Sequence, residues 1–490
     1  MKTKYKRWLL RVFYCGFCSL MLSANALSSN SESLKEQTYQ ADSDDWNISA
    51  VYATDTSPQT QAFTVKPKMQ RWTHDRFGMF IHWGLYSTRA VRAWVTDEER
   101  TAEEGYEAYY KRKYFDHFNP DLFDPKVWAK AAKYAGMKYF VITTKHHEGF
   151  CLWDSKYTDF KVTNTPYGKD LLKPMVQAFR DEGLRVGFYY SILDWHHPEF
   201  PVNTEGSLAH PMSGNAEFME KEKDRDVKKY VEFARNQITE LLTEFGPIDV
   251  FWSDIPFSDP EGEKHGEDLI KLIRELQPNI LLNDRLEHLP GRADFKTPEQ
   301  FIPRQWVKEN GQPVPWETCM TASGFWSYYP SLTDYKSPEQ LIRGLVDIVS
   351  KGGNLLLNIG PNGRGEFDPR SMKILEGIGD WMHLNSRSIY GCTQAPKEFK
   401  APQDCRYTYN PETNRLYVHL FSWPIHELHL EGLADKVEYA QFLHDASEVQ
   451  LGSPMFWYFI WEQRPDDLLT IALPTEKPDA AVPVIEIFLK

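Results

Sequence analysis

The chain has 490 residues, a formal net charge of −13 and 41% hydrophobic side chains. That length calls for about two or three domains, and so much apolar side chain excludes an intrinsically disordered protein. The acidic balance excludes a nucleic-acid partner, which would need clustered Lys and Arg, while 16 Trp and 25 Tyr supply core and rings able to stack on sugar faces.

The N-terminus reads as an export signal. Lys2, Lys4, Lys6 and Arg7 precede an apolar run over 8–22, and Ala24-Asn25-Ala26 fits an A-x-A cleavage site. A signal peptide over 1–26 is therefore expected, with a secreted or periplasmic product. The run is too short for a membrane anchor and Arg11 interrupts it. No other stretch is apolar enough to span a bilayer. Residues 27–60, rich in Ser, Thr, Asp and Gln, read as a flexible leader.

From residue 61 onward, strand and helix patterns alternate. A strand is expected over 77–83, carrying His82 near its end, and a helix over 125–135 stopped by Gly136. The next strand, 138–144, runs into Lys145-His146-His147-Glu148-Gly149. A helix over 170–182 and a strand over 184–191 follow, then a His- and Pro-rich loop over 194–220, long enough for a lid. Helix 226–245 is broken by Gly246-Pro247, and the apolar run 248–252 ends abruptly at Asp254. A helix over 267–276 leads to a strand over 280–283 and then to Asp284-Arg285. The segment 286–337 reads as irregular and holds Glu299 and Glu317. Helix 338–350, strand 354–360 and helix 369–385 complete the pattern.

Apolar runs bounded by turn residues mark strands buried on both faces, and their alternation with helices predicts a TIM-like (β/α) barrel over 61–388. From about residue 390 the runs are short and alternating. They predict a small C-terminal antiparallel β-sandwich over 389–490.

Of six Cys, Cys15 and Cys18 would leave with the signal. The remaining four include no C-x-x-C pair, which excludes a ribbon-type zinc site. Cys392 and Cys405 bracket a short loop, and whether they pair in an oxidising compartment is open, whereas Cys151 and Cys319 read as buried thiols.

A barrel gathers the C-terminal ends of its strands around one site. Here those ends carry His82, His146, His147, Tyr189, Asp254 and Arg285, with the acids Glu299 and Glu317 nearby. Taken singly, each has a plain structural reading: a satisfied histidine, an Asp capping the next helix, a Glu linking loop amides. Successive residues of a strand face opposite sides, so His146-His147 is a poor metal clamp. Neither H-x-H nor H-E-x-x-H spacing occurs, so no metal or other cofactor is expected. Gathered together, imidazole, phenol, guanidinium and carboxylates suit a neutral polyhydroxyl ligand, and two carboxylates on different strands suit glycosidic-bond chemistry.

The blocks F-G-M-F-I-H-W-G at 77–84, T-K-H-H-E-G-F at 144–150, G-F-Y-Y-S at 187–191, F-W-S-D at 251–254, T-P-E-Q at 297–300, W-E-T-C-M-T at 316–321 and S-K-G-G-N-L-L-L-N-I-G-P at 350–361 carry a resemblance to a known family. Together they identify the barrel as similar to the family 29 glycoside hydrolases, the retaining α-L-fucosidases. The resemblance implies an exo-acting enzyme on fucosylated oligosaccharides or glycoconjugates. It implies Asp254 as nucleophile and Glu299 as acid/base, because D-F-K-T-P-E-Q matches that block best; Glu317 is the alternative. His82, His146 and His147 would bond sugar hydroxyls, Tyr189 and Arg285 would be further contacts, and Trp326 would face the sugar methyl group. The family's Glu-Trp pair after the first strand reads Ala93-Trp94 here, so Trp94 is the expected substrate contact and one carboxylate is missing. Ile255 replaces a Gly after the nucleophile, and the family's H-H-D reads His146-His147-Glu148. Ala93 leaves a related sugar such as α-L-galactose open; a catalytically weakened carbohydrate-binding relative is an alternative of another class, which the retention of both Asp254 and Glu299 counts against. The oligomeric state, including a homo-oligomer, is also open.

Overall fold

A computed structural model describes residues 66–90, 99, 105–202, 209–257, 261–286, 291–452 and 465–490. The expected signal peptide and leader, and Ala93-Trp94, lie outside them.

Seven strands form one parallel sheet: β1 Phe77–Ile81, β2 Tyr139–Lys145, β3 Arg185–Ser191, β4 Val250–Asp254, β5 Leu281–Leu282, β6 Glu317–Thr321 and β7 Asn354–Ile359, in the order β5-β4-β3-β2-β1-β7-β6. β1 to β5 are buried along their whole length, as the unbroken apolar runs predict. The helices over them are α1 Pro125–Tyr134, α2 Leu172–Asp181, α3 Val227–Glu244, α4 Gly262–Leu276, α5 Pro338–Val349 and α6 Pro369–Asn385. Their starts are chemically marked. Asp124, Asp226 and Asp368 accept first-turn amides, and Ser337 with Gln340 makes a capping box before α5.

The two edges of the sheet do not pair directly. The segment 294–300 runs between them, bridging Asn283 to Phe295, Lys296 to Trp316 and Glu299 to Cys319, each in parallel sense. It stands where an eighth strand would close the barrel. Thus 286–337 is not simply irregular: it supplies this closure, a small hairpin (Lys308–Glu309 with Gln312–Pro313) and β6. β6 reads Glu-Thr-Cys-Met-Thr and lacks the apolar run that marks its neighbours. β5 is shorter than expected, because the Asn283 side chain takes over from the ladder. Its Oδ1 accepts from Ser253 N at 3.0 Å and its Nδ2 donates to Ser253 O at 2.9 Å.

The C-terminal strands are β8 Thr393–Gln394, β9 Cys405–Asn410, β10 Arg415–Leu420, β11 Glu427–Leu430, β12 Val437–Phe442, β13 Leu451–Gly452, β14 Leu469–Ala472 and β15 Val484–Leu489. They form antiparallel sheets β8-β9-β10-β15-β12 and β11-β14-β13 around a core of Leu416, Val418, Leu430, Ile471, Ile485 and Ile487. Trp381 of α6 donates to Val482 O at 2.7 Å, and Arg406 of β9 pairs with Asp347 of α5 at 2.6 Å, fastening these strands to the barrel helices. Among the described residues no helix is long and apolar enough to cross a membrane.

Cys392 and Cys405, whose spacing left pairing open, do not pair; all four described thiols are free and buried. Cys392 packs into the barrel-side core and Cys405 into the core of the C-terminal sheets, so the two side chains serve different clusters. Burial pushes both thiols up to about 12, which keeps them protonated and inert. Iodoacetamide is expected to label these cysteines only after unfolding, and reductant to leave the melting temperature unchanged. Rapid native labelling of either would contradict the arrangement.

Glu317, the first residue of β6, lies at the opposite end of the sheet from Asp254, the last residue of β4. It is fully buried, accepts a hydrogen bond from the Tyr139 hydroxyl, and faces the indole nitrogens of Trp72 and Trp252 outside ideal hydrogen-bond geometry. Burial raises its carboxyl to about 7, and those donors only partly offset the rise. A carboxyl whose pKa rises on folding favours the native state most below its unfolded value. That contribution falls as pH climbs from about 4.5 and is gone above about 7, a change on the order of 3 kcal/mol. Melting temperature should therefore decline from pH 5 to 7.5 more steeply in the wild type than in Glu317→Gln. Parallel curves would show that this carboxyl does not titrate with folding.

Candidate active site

The C-terminal strand ends converge on Asp254. Its Oδ2 accepts from the Tyr189 hydroxyl at 2.8 Å, and its Oδ1 from Arg285 Nη1 at 3.1 Å and from Ile255 N at 3.1 Å. Ile255 takes a positive φ of 54°, turning the chain sharply after β4. Burial, then the Asp254 charge, pushes the Tyr189 phenol well above its ordinary value, so it stays a donor.

Arg285 joins the two candidate carboxylates. While Nη1 meets Asp254, Nη2 pairs with Glu299 Oε2 at 2.7 Å, and Nε donates to Thr297 Oγ1 at 3.0 Å. Its Cζ lies 4.5 Å from the centre of the Trp252 ring. Burial opposes the guanidinium charge, but Glu299 and Asp254 override it and hold the pKa well above the ordinary arginine value. Glu299 differs from Asp254 in exposure: its side chain is 40% accessible, against 12%.

Three histidines line the same region. His82, just past β1, meets Asn358 Oδ1 through Nδ1 at 2.7 Å, and Asn358 Nδ2 donates to Trp326 O at 2.7 Å. That second bond fixes the amide, so His82 must donate from Nδ1. His147 meets Ser191 Oγ through Nδ1 at 2.7 Å, and that hydroxyl donates onward to Leu193 O at 2.6 Å. His147 therefore also donates from Nδ1, and its Nε2 stands 4.0 Å from Asp254 Oδ2. Burial, then the neighbouring imidazoles, holds both rings well below the usual histidine pKa, and so neutral. Each then offers an Nε2 lone pair, an arrangement that accepts hydrogen bonds from ligand hydroxyls.

His146 and His147 both reach this site, against the expectation from strand alternation. β2 ends at Lys145, so the pair lies in a turn closed by Gly149 N to His146 O at 3.0 Å, and their ring centres are 4.0 Å apart. His146 stacks on Tyr189, and the Trp326 ring centre lies 4.8 Å from that of His82 and packs edge-on to Phe80. The expected lid over 194–220 is pinned where it begins. Trp195 packs edge-on to His147, and its carbonyl meets His210 Nε2 at 2.9 Å.

The strand ends thus bring together Asp254, Glu299, His82, His146, His147, Tyr189, Arg285 and Trp326. Trp94 lies outside the described residues, and Glu317 belongs to the far end of the barrel. Sequence reasoning missed the supporting groups Ser191, Asn358, Thr297 and Trp252. Asn358 had a signal, being a polar residue inside the apolar run N-L-L-L-N-I-G. Among the described residues no three His, Cys, Asp or Glu side chains gather as a metal-binding group.

Comparison with known proteins gives the same answer. The α-L-fucosidase family profile matches residues 47–387. Rat plasma α-L-fucosidase is 28% identical over 77% of this chain and 82% of its own. The structure of α-L-fucosidase isoenzyme 1 from Paenibacillus thiaminolyticus superposes with a TM-score of 0.79 at 46% identity, covering 86% of this chain and 99% of that one. A family 29 α-L-fucosidase from Bacteroides thetaiotaomicron superposes with a TM-score of 0.74 at 28% identity, covering 89% and 98%. With its barrel, its motifs and its strand-end carboxylates accounted for together, the chain belongs to the α-L-fucosidase family.

Proposed function

We propose that the protein is an exo-acting retaining α-L-fucosidase that removes terminal α-L-fucosyl residues from fucosylated glycans by double displacement. The observation that carries this reading is the single guanidinium of Arg285 held between Asp254 and Glu299. One side chain spans both carboxylates, which is compatible with the roughly 5–5.5 Å separation of a retaining pair. The related Bacteroides enzyme has been trapped as a covalent intermediate with 2-fluoro-fucosyl fluoride. The N-terminal signal reading adds export from the cytoplasm.

In the first step an Asp254 oxygen bonds to the anomeric carbon as the bond to the leaving oxygen breaks, and Glu299 gives that oxygen its proton. Tyr189, Arg285 and the Ile255 amide hold the Asp254 carboxylate in line for attack. In the second step Glu299 takes a proton from water, the water oxygen bonds to the anomeric carbon, and Asp254 leaves as carboxylate. The proton taken from water in the second step restores Glu299 as the acid for the next turnover, and its exposure gives that water access. The neutral imidazoles of His82 and His147 accept bonds from sugar hydroxyls, which orients the ring without adding charge.

Hydrolysis of an aryl α-L-fucoside followed by NMR should give α-fucose before mutarotation; β-fucose first, or no turnover, would overturn the reading. Asp254→Ala should lower kcat by several orders of magnitude with the fold intact, and azide should then give the inverted β-fucosyl azide. Near-normal turnover would refute the assignment. Glu299→Gln should cripple cleavage of a sugar–sugar bond and spare the first step on a dinitrophenyl fucoside, since an activated leaving group needs little protonation. Azide should rescue this variant as the retained α-fucosyl azide, and failure of that rescue would remove Glu299 from the role.

A further inference from the structure

Each histidine at the site is held from behind through Nδ1, and the third holder belongs to no motif role assigned above. His82 has Asn358 and His147 has Ser191, both at 2.7 Å. His146 Nδ1 has the Glu148 carboxylate, with Oε2 at 3.4 Å. Both residues are buried, at 5% and 3% exposure, and neither atom has a hydrogen-bond partner among the described residues, their own contact falling outside hydrogen-bond geometry. A buried carboxylate oxygen and a buried imidazole nitrogen 3.4 Å apart, each otherwise unpartnered, point to a proton shared between them once the contact tightens around a ligand.

The local backbone delivers this contact. Gly149, at φ 81°, closes the turn that folds Glu148 back toward the ring of His146. Gly84 leaves room for the carboxyl, since a Cβ there would stand 2.7 Å from Glu148 Oε1. The simpler reading is that Glu148 satisfies the buried tyrosines around it. Tyr86, however, bonds Thr143 at 3.1 Å instead, and the Tyr106 hydroxyl has no hydrogen-bond partner among the described residues.

We propose that Glu148 is a positioning residue for the glycosidase reaction: its carboxylate holds the His146 proton on Nδ1, so that Nε2 accepts a hydrogen bond from a sugar hydroxyl. This rests on the fucosidase reading. All three imidazoles then share one polarity, three acceptors facing a ligand rich in donors. The other two holders are neutral, so His146 is the ring whose orientation depends on a charged partner.

Two measurements test this. In steady-state kinetics on an aryl α-L-fucoside, Glu148→Ala should lower kcat/KM roughly 10- to 100-fold in the wild-type background, the range of a charged hydrogen bond. On a His146→Ala background the same change should cost no more than about twofold. Glu148→Gln should recover most of the loss, because its amide oxygen can accept from Nδ1 as Asn358 does from His82. An equal loss on both backgrounds, or no loss in the first, would overturn the proposal. The second measurement needs no activity: ¹⁵N shifts of the His146 ring in the wild-type protein should show Nδ1 protonated and Nε2 bare. The opposite tautomer would overturn the proposal, even if Glu148→Ala failed to fold. Wild-type protein inactive on every fucoside would instead sink the fucosidase reading and leave the tautomer result standing.

Discussion

The site depends on one cation shared by two acids. Arg285 fixes where the two carboxyls stand: Nη1 holds Asp254 deep in the site while Nη2 holds Glu299 near water. The guanidinium is itself over-determined, lying on the Trp252 ring and bonding Thr297. Trp252 stands two residues before Asp254 on the same strand, so the nucleophile's own strand supplies the plate on which its partner rests.

Everything else at the mouth follows the same logic of fixed polarity. Asn358 is turned by Trp326, Ser191 by Leu193 and Tyr189 by Asp254, so each hydrogen-bonding group has its direction settled before a sugar arrives. Such settled dipoles need not reorganise as charge develops, which is where preorganised sites gain over water. The far end of the barrel holds an acid of a different kind. Glu317 sits among Trp72, Tyr139 and Trp252 in a dry floor, where a carboxyl is more comfortable protonated.

What could be read from residues alone followed the physics of burial. Strands buried on both faces are apolar throughout, so β1, β3, β4 and β7 stood out, and their terminal polar residues marked the mouth. β6 was hidden because Glu317, Thr318 and Thr321 interrupt any apolar run, and their partners come from distant strands. Segment 294–300 was hidden because isolated bridges leave no periodicity. The alternation rule invoked for His146-His147 holds inside a strand, and β2 ends at Lys145, so both rings turn to one side. The thiols of Cys392 and Cys405 lie close in sequence, but spacing is silent about which core each side chain enters.

The closure of the barrel means that its two carboxylates are held by different means. Asp254 rides on β4, which is laddered to β3 and β5, whereas Glu299 rides on a seam of single bridges between β5 and β6. With so few ladder bonds, the hold on that seam falls to side chains: Asp294 pairs with Lys68 and Arg274, Thr297 bonds Asp284, and Phe295 is buried against Trp72. The nucleophile is thus moored by backbone, and the proton donor's segment mainly by charge.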